Sequence, residues 1–194
     1  MHESVLLNET ISFLNLKEDS TIVDMTLGYG GHSSEILKRI KKGRLIAFDQ
    51  DEEAISYSSK RLSAIANNFQ IIDSNFVNAK EQLNKLGITK VDGILYDLGV
   101  SSPQLDEDYR GFSYRYDANL DMRMDKDNPL TAQIIVNTYS YSDLKRIFKD
   151  YGESKFASNI ARNIVTKREE KEIVTTLELV EIIKNSVPYK ERLK

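Results

Sequence analysis

The chain has 194 residues, of which 40% are hydrophobic and 29% charged, and its formal net charge is −3. This composition is typical of a globular protein, and the length suits one domain or a domain with a sizeable insertion. The absence of cysteine excludes disulfides, thiolate metal sites and a cysteine nucleophile, and it fits a reducing cytoplasm. Two histidines are too few for a multi-histidine metal site.

Membrane insertion and export are not indicated by the sequence. No apolar run approaches the roughly 18 residues that a membrane span needs, and the N-terminus lacks the basic start and apolar stretch of a signal peptide. The acidic net charge argues against a non-specific nucleic-acid coat, because such binding draws its affinity from phosphate neutralisation. A local basic surface remains compatible with it. We therefore expect a cytoplasmic protein.

Apolar runs and amphipathic stretches alternate in the first half of the chain. Strands are predicted at 21–25, 44–49, 70–73 and 91–97, and helices at 32–41, 52–66 and 75–86. A further helix at 5–16 would place Leu6, Leu7, Ile11, Phe13 and Leu14 in its apolar positions. Such alternation with short loops predicts an α/β fold with a parallel sheet covered on both faces.

The pattern changes after Pro103. Residues 104–129 are polar and show little periodicity, whereas helices are predicted at 131–137, 141–151, 154–168 and 176–186. Thr175 and Glu178 have the spacing of a helix N-cap and its acidic partner. No strand is predicted after Asp97. We therefore place a domain boundary between residues 104 and 105.

A glycine-rich loop follows the first predicted strand and opens a helix. Gly28, Gly30 and Gly31 allow a sharp turn and a close approach of a ligand to the backbone. Asp49 ends the second strand about 20 residues later, which is where nucleotide-binding folds place a carboxylate for ribose hydroxyls. Together these features predict a nucleoside cofactor.

The loop sequence favours S-adenosylmethionine (SAM) over a dinucleotide. A dinucleotide loop would have a third glycine at position 33, where this chain has Ser33. Asp24 precedes the loop, and an acid there is suited to the amino end of the methionine part of SAM. A dinucleotide-dependent oxidoreductase is the alternative.

The segment at 97–106 leaves the carboxyl end of the fourth predicted strand, the edge at which open α/β sheets bind ligands. Methyl transfer to an exocyclic amine depends mainly on positioning, because the nitrogen must be turned towards the methyl group by acceptors around its N–H bonds. Asp97 and the Ser101 hydroxyl are such acceptors, and Pro103 would stiffen the turn.

Three motifs resemble one known family. They are Gly-Gly-His at 30–32, Asp-Leu-Gly-Val-Ser-Ser-Pro-Gln at 97–104, and Arg-Gly-Phe-Ser-Tyr at 110–114 with Leu-Asp-Met-Arg-Met-Asp at 120–125. The chain is similar along its whole length to the bacterial 16S ribosomal RNA cytosine-N4 methyltransferases, the RsmH or MraW family. The resemblance implies a partial doubly wound, Rossmann-like SAM-methyltransferase sheet with an all-helical insertion domain.

The resemblance also implies an activity and a set of site residues. The reaction would be SAM-dependent methylation, without a metal, of a cytosine N4 in the decoding region of 16S rRNA in the small ribosomal subunit. The implied SAM-contacting residues are Gly30, Gly31, His32, Asp49, Phe76, Asp97 and Gln104. The implied methyl-transfer residues are Asp97, Ser101, Ser102 and Pro103.

RNA contacts are expected from the second half of the chain, which the resemblance identifies as a substrate-recognition region. Rings that can stack on the target base are Tyr109, Phe112, Tyr114 and Tyr116. Candidate phosphate contacts are Arg162, Lys167, Arg168 and Lys171. Packing between the two regions, and an ordinary solvated helix face, are the competing interpretations of these two groups.

Family chains are longer and return to the sheet after the helical insertion. Analogy with their fold predicts the strand order 3-2-1-4 here, which leaves the fourth strand as an edge. An unprotected apolar edge at 94–96 would favour self-association. We therefore expect a shortened member or a piece of one, and a non-catalytic RNA-binding or ribosome-binding role is the third hypothesis.

Overall fold

The computed structural model describes residues 4–191 and divides into two compact units, between Ser101 and Ser102. The first unit contains α1 (Leu7–Phe13), β1 (Thr21–Asp24), α2 (Gly31–Leu37), β2 (Arg44–Asp49), α3 (Glu52–Ser63), β3 (Phe69–Asp73), α4 (Ala79–Lys85) and β4 (Gly93–Leu95). A 3₁₀ turn at Phe76–Asn78 precedes α4. The predicted domain boundary at 104/105, with its assignment of functions to the two parts, stays a prediction.

The four strands form one parallel sheet in the order β3-β2-β1-β4, which confirms the predicted fold class and strand order. Successive side chains of the central strands lie on opposite faces of the sheet. Ile22 and Leu45 pack with α2 on one face, whereas Val23 and Ile46 pack with Ala79 of α4 on the other. Burial of both faces explains why these strands are continuously apolar rather than alternating.

Two predictions about this unit are wrong in detail. Helix α1 buries Ile11, but Leu6 and Phe13 are exposed, the latter by 90% of its surface, so the helix packs along a narrower stripe than its apolar residues suggest. Strand β4 is three residues long, against seven predicted, and pairs only with β1. Its outer side is unpaired within the described chain, and Ile94 is 46% exposed.

The second unit is helical. It contains α5 (Ser102–Asp106), α6 (Ala132–Thr138), α7 (Tyr141–Arg146), α8 (Ala157–Glu170) and α9 (Thr176–Ser186). A π turn at Ile147–Tyr151 extends α7, and a 3₁₀ turn lies at Tyr189–Glu191. Helix α5 was not predicted, because a five-residue helix carries no readable periodicity. The central residues of the core are Leu144, Ile160, Ala161 and Ile164.

The predicted cap of α9 is present as a complete capping box. The Thr175 hydroxyl accepts the Glu178 N–H, and the Glu178 carboxylate accepts the N–H groups of Val174 and Thr175. Lys171 also bonds this carboxylate at 2.6 Å, and these donors lower the pKa of Glu178 to about 2. An isolated bridge between Asn119 and Thr175 joins the long loop before α6 to this cap.

Two arginines organise that long loop. The buried Arg110 donates to the carbonyl of Arg123 at 3.0 Å, and its guanidinium lies over the Phe112 ring. Arg123 bonds both carboxylate oxygens of Asp121 and donates to the carbonyls of Lys126 and Asn128. Cation-to-carbonyl bonds therefore shape a segment whose sequence shows no periodic pattern.

Candidate functional site

The glycine loop is closed onto the end of β2 by two hydrogen bonds. The Gly28 N–H donates to Asp49 Oδ2 at 2.7 Å, and the Ser58 hydroxyl of α3 donates to the Gly28 carbonyl at 2.7 Å. Gly28 and Gly30 have φ values of 50° and 73°, a left-handed conformation that favours glycine. The loop shape therefore depends on β1, β2 and α3 together.

Asp49 is a structural acceptor as well as a ligand candidate. Its Oδ1 accepts the N–H groups of Gln50 and Asp51, at 2.8 and 2.9 Å, and its Oδ2 accepts Gly28. Partial burial raises the pKa of this carboxyl, and the three N–H donors act in the opposite direction. A carboxylate has about four acceptor positions, so one remains after these three hydrogen bonds.

Asp24 lies beneath the loop and is fully buried. It accepts the Ser33 hydroxyl at 2.7 Å and the Thr26 N–H at 3.1 Å, and burial raises its pKa. Ser33 occupies the position of the third glycine in a dinucleotide loop, and its hydroxyl is committed to this bond. Asp24 thus holds the start of α2 against the end of β1, rather than reaching a ligand through an exposed carboxylate.

An N-terminal segment crosses the start of α2. A Cβ at Gly31 would collide with the Ser4 hydroxyl, so this glycine makes room for the segment. His32 is buried, and its Nε2 donates to the Val5 carbonyl at 3.0 Å, since a carbonyl can only accept. Its Nδ1 faces Asp97 Oδ2 at 3.8 Å. His32 therefore bonds the N-terminal segment and lies beside Asp97, which follows β4.

Asp97 is held from the backbone while its carboxylate stays accessible. Its N–H donates to the Thr26 hydroxyl at 2.7 Å, which ties the segment after β4 to the loop after β1. The side chain is 47% exposed. A carboxylate in this position can accept a hydrogen bond from a ligand without first losing another partner.

The remaining predicted site residues fall on both sides of the division between the units. Ser101 ends the first unit, whereas Ser102, Pro103 and Gln104 begin the second, in α5. Gln104 is buried, and Pro103 lies in the first turn of α5, where its missing N–H costs no helical bond.

Phe76 has a partner that the sequence did not indicate. Its ring meets Tyr96 edge-on, with ring centroids 5.6 Å apart. Phe76 follows β3 and Tyr96 follows β4, which are opposite edges of the sheet. The segment after β3 therefore reaches across the carboxyl ends of the strands.

The four rings predicted for base stacking all belong to the second unit. Tyr109, Tyr114 and Tyr116 are exposed, and Phe112 is partly buried beneath the Arg110 guanidinium. Tyr109 has a hydrogen bond to Glu107 and carries the Lys126 ammonium over its ring.

Thr26, Ser58, Val5 and Tyr96 complete this site and were missed from sequence. Hydroxyls of Thr and Ser are too common to signal a role, and a backbone carbonyl such as that of Val5 has no sequence signature. Only the position of Tyr96, directly before Asp97, could have drawn attention to it.

A parallel sheet, a left-handed glycine loop after β1 and an acid after β2 define an open α/β fold of the nucleoside-binding type. The sequence pattern of the MraW methylase family matches residues 1–194, and the chain belongs to that family. Among curated relatives, it is 54% identical over 193 residues to the ribosomal RNA small subunit methyltransferase H of Exiguobacterium sibiricum. That match covers all of this chain and 62% of the relative, so the chain spans less than two thirds of its relative's length.

The matches to solved structures cover only part of this chain. An rRNA methylase from Streptococcus thermophilus is 27% identical with a TM-score of 0.36, over 42% of this chain and 50% of that one. NSun6 from Pyrococcus horikoshii is 28% identical with a TM-score of 0.40, over 50% of this chain and 24% of that one. The family membership therefore rests on the sequence match.

No helix within residues 4–191 is long and apolar enough to cross a membrane. Over the same residues, no group of three or more His, Asp or Glu side chains is arranged to hold a metal ion.

The packing around Gly30 can be tested against a second glycine with a similar positive φ. Gly30 and Gly87 have φ values of 73° and 70°, but a Cβ at Gly30 would lie 3.0 Å from Ser58 Oγ, whereas a Cβ at Gly87 meets open space. We expect Gly87→Ala to cost about 1 kcal/mol, the left-handed penalty alone. Gly30→Ala should cost about 1–3 kcal/mol more, because it adds overpacking. Urea unfolding of both variants measures the difference.

Adding Ser58→Gly to Gly30→Ala provides the control for this comparison. Because Ser58→Gly alone loses the hydrogen bond to the Gly28 carbonyl, the double variant is compared with that single variant, and in this background Gly30→Ala should cost less than in the parent chain, since the crowding atoms are removed. Equal costs at the two glycines would show that Ser58 does not constrain the loop.

Proposed function

We propose that this chain carries the SAM-binding half of a methyltransferase that acts on the exocyclic N4 of a cytosine in the decoding region of 16S rRNA. The observation that carries the proposal is the hydrogen-bonded connection of three strand ends. Gly28 is bonded to Asp49, and Thr26 is bonded to Asp97, so the loops after β1, β2 and β4 form one ligand-facing edge. Family membership and the similarity to an rRNA small subunit methyltransferase support the same reading.

The residues present fit SAM as a cofactor. A Cβ at Gly28 would meet only the Thr26 carbonyl oxygen, at 4.0 Å, which leaves room for a ligand. Asp49 keeps one acceptor position for a ribose hydroxyl, and the Phe76 ring lies beyond the end of β3, where it can flank an adenine. Gly30 and Gly31 contribute differently, since their missing side chains make room for Ser58 and Ser4. We assign His32 to this site as the residue between Val5 and Asp97.

When bound, SAM supplies an electrophilic methyl group on a sulfonium. The protein must then turn the amine nitrogen of the cytosine towards that methyl group. Asp97 is suited to accept an N–H of the amine and to take the proton that the nitrogen loses after the new C–N bond forms. Ser101, Ser102, Pro103 and Gln104 are proposed to complete the methyl-transfer site, and the reaction needs neither a metal nor a covalent protein intermediate.

The proposed target base is presented in a single-stranded or opened segment. Extrusion of a paired base costs a few kcal/mol, so an opened site is favoured. We propose that one of Tyr109, Phe112, Tyr114 and Tyr116 stacks on the cytosine. Tyr114 is the most exposed of these rings and is the first to substitute.

The dinucleotide alternative is disfavoured by one contact. The position where a dinucleotide loop needs its third glycine carries Ser33, and the Ser33 hydroxyl is bonded to the buried Asp24. A pyrophosphate would need the helix start that this serine and the Ser4–Val5 segment cover. A non-catalytic RNA-binding role is the other alternative, and methyl-transfer assays distinguish it.

The first prediction concerns the cofactor. Calorimetry with SAM should show that Asp49→Ala weakens binding about 10- to 150-fold, because the ribose bond to a charged acceptor is lost and Gly28 is released. Asp73→Ala is the matched control. Asp73 is the register partner of Asp49 on β3 and is exposed, so its removal should leave SAM affinity unchanged.

Thermal shifts with SAM, S-adenosylhomocysteine and NAD complete that test. The two sulfur ligands should raise the melting temperature and NAD should not, since a ligand stabilises only a fold that binds it. Stabilisation by NAD alone would favour the oxidoreductase, and equal SAM affinity of the Asp49 and Asp73 variants would exclude the ribose role.

The second prediction concerns chemistry. In a chain extended to the length of its relatives, and with small-subunit particles that lack the modification as substrate, Asp97→Ala should lower kcat about 100-fold or more. The KM for the particles should change little, since Asp97 acts on one atom of a large substrate. Asp73→Ala should retain the kcat of the parent chain. An unchanged kcat in Asp97→Ala would remove this residue from the methyl-transfer site.

The third prediction concerns the sheet edge. We propose that the unpaired side of β4 lets copies of this chain associate, because exposed apolar edges pair with other strands. Molecular mass in solution should rise with concentration, and Ile94→Lys should suppress the rise. Val77→Lys is the control, since Val77 is exposed on the 3₁₀ turn and away from the sheet edge. A monomer at all concentrations would contradict the proposal.

A further inference from the structure

The basic side chains of the second unit fall into two groups, according to whether the fold already uses them. Lys167 pairs with Glu170 at 2.9 Å, and Lys171 pairs with Glu178 at 2.6 Å. Arg168 donates to the carbonyls of Val136 and Tyr139, at 2.9 and 2.7 Å. Three of the four cations that the sequence suggested as phosphate contacts therefore have internal partners.

The surroundings of the two lysines also disfavour a phosphate. Lys167 and Lys171 line a groove of about 720 Å³ along α8 and α9. Its lining carries five carboxyl groups, those of Asp117, Glu170, Glu172, Glu178 and Glu181. A polyanion would meet more negative than positive charge there.

A second group of cations is uncommitted. Within the stretch 145–162, none of the five basic side chains makes an ion pair or hydrogen bond. They are Lys145, Arg146, Lys149, Lys155 and Arg162, and all except the partly buried Lys145 are exposed. The stretch 145–162 contains only two acidic residues, Asp150 and Glu153. It is therefore a locally basic part of an acidic protein.

These cations belong to two helices that pack on each other and to the connection between them. Helix α7 and its π turn contribute Leu144 to the core, and α8 contributes Ala157, Ile160, Ala161 and Ile164. Arg146 and Lys149 are on the exposed side of the first, and Arg162 is on the exposed side of the second. Lys155 lies in the short connection between them.

An aromatic residue lies between Lys149 and Lys155 in the sequence. Tyr151 ends the π turn and is 77% exposed. The next residue, Gly152, donates its N–H to the Ile147 carbonyl, and a Cβ there would lie 2.9 Å from the Phe148 carbonyl oxygen. The backbone beside Tyr151 is thus fixed by close packing, while the ring itself is open to solvent.

Cations interleaved with an exposed ring are the features by which proteins bind single-stranded nucleic acid, since the cations contact phosphates and the ring stacks on a base. We propose that the α7–α8 basic face, formed by Arg146, Lys149, Tyr151, Lys155 and Arg162, binds a single-stranded RNA segment. The inference rests on the proposed function in that RNA is the substrate, and it assigns the contact to this face rather than to Lys167, Arg168 and Lys171.

Two triple variants of equal charge test this assignment. The first, Lys149→Gln/Lys155→Gln/Arg162→Gln, removes uncommitted cations. The second, Lys167→Gln/Lys171→Gln/Lys184→Gln, removes three lysines that are paired with Glu170, Glu178 and Glu181. The measurement is fluorescence anisotropy of a labelled single-stranded RNA of about 20 nucleotides, titrated over a range of KCl concentrations.

The first triple variant should weaken binding and reduce the slope of log K against log salt concentration by about 2, since each lost phosphate contact in a single strand contributes about 0.7. The second should keep the parent slope, although its net charge is the same. Equal losses in both variants would show a general charge effect and would overturn the proposal.

Tyr151 is tested separately. Tyr151→Ala should weaken RNA binding about 5- to 150-fold at constant salt slope, and Tyr151→Phe should retain the affinity because the stacking ring is kept. Circular dichroism checks that both variants are folded. An Ala variant that binds as well as the parent would exclude stacking by this ring.

The SAM calorimetry described above distinguishes failure of the basic-face assignment from failure of the proposed methyltransferase function. If this chain binds SAM but its RNA affinity is the same in both triple variants, the assignment of RNA binding to the basic face is wrong and the proposed function stands. If SAM does not bind while the basic face still controls RNA affinity, the non-catalytic RNA-binding alternative is supported.

Discussion

The hydrogen bond from the Gly28 N–H to Asp49 is the contact on which the first unit's site depends. It fixes a left-handed loop after β1 to the end of β2, and Ser58 of α3 holds the other side of the same residue. A loop with two positive φ values has little intrinsic preference for one shape, so its conformation must come from these neighbours. The same loop region, through Thr26, also positions Asp97 after β4.

The three carboxylates near the glycine loop differ in burial and in hydrogen-bond partners. Asp24 is buried with a hydroxyl and an N–H as partners, Asp49 is partly buried with three N–H donors, and Asp97 has an exposed carboxylate. Burial raises the pKa of the first two, whereas their donors favour the charged form. The carboxylate of Asp24 is therefore fully used by the fold, that of Asp49 keeps one acceptor position beyond its three N–H donors, and that of Asp97 is exposed.

The cations of the second unit differ in whether the fold already uses them as hydrogen-bond or ion-pair partners. Lys167, Arg168 and Lys171 form a dense basic run, which suggested phosphate binding. In the fold, Arg168 donates hydrogen bonds to the carbonyls of Val136 in α6 and of Tyr139, which follows α6. Lys171 bonds the Glu178 carboxylate of the α9 capping box. The more dispersed cations from Lys145 to Arg162 have no internal partners, and only Arg162 among them was predicted from sequence to contact phosphate.

The sequence by itself determined that four parallel strands are present, the glycine loop with Asp49, the capping box at Thr175 and the family, and the resemblance to that family gave the strand order. Those features depend on local periodicity, on residue types with restricted conformations, or on long exact motifs, all of which are readable along the chain. Only the tertiary structure decided that Ser58 and Ser4 fill the space beside Gly30 and Gly31 and that His32 bonds Val5 and lies beside Asp97. It also decided that Phe76 contacts Tyr96 and which lysines are already paired. Each of these is a contact between residues distant in sequence or an allocation of hydrogen-bond partners, and both are set by how the elements pack rather than by the residues of any one element.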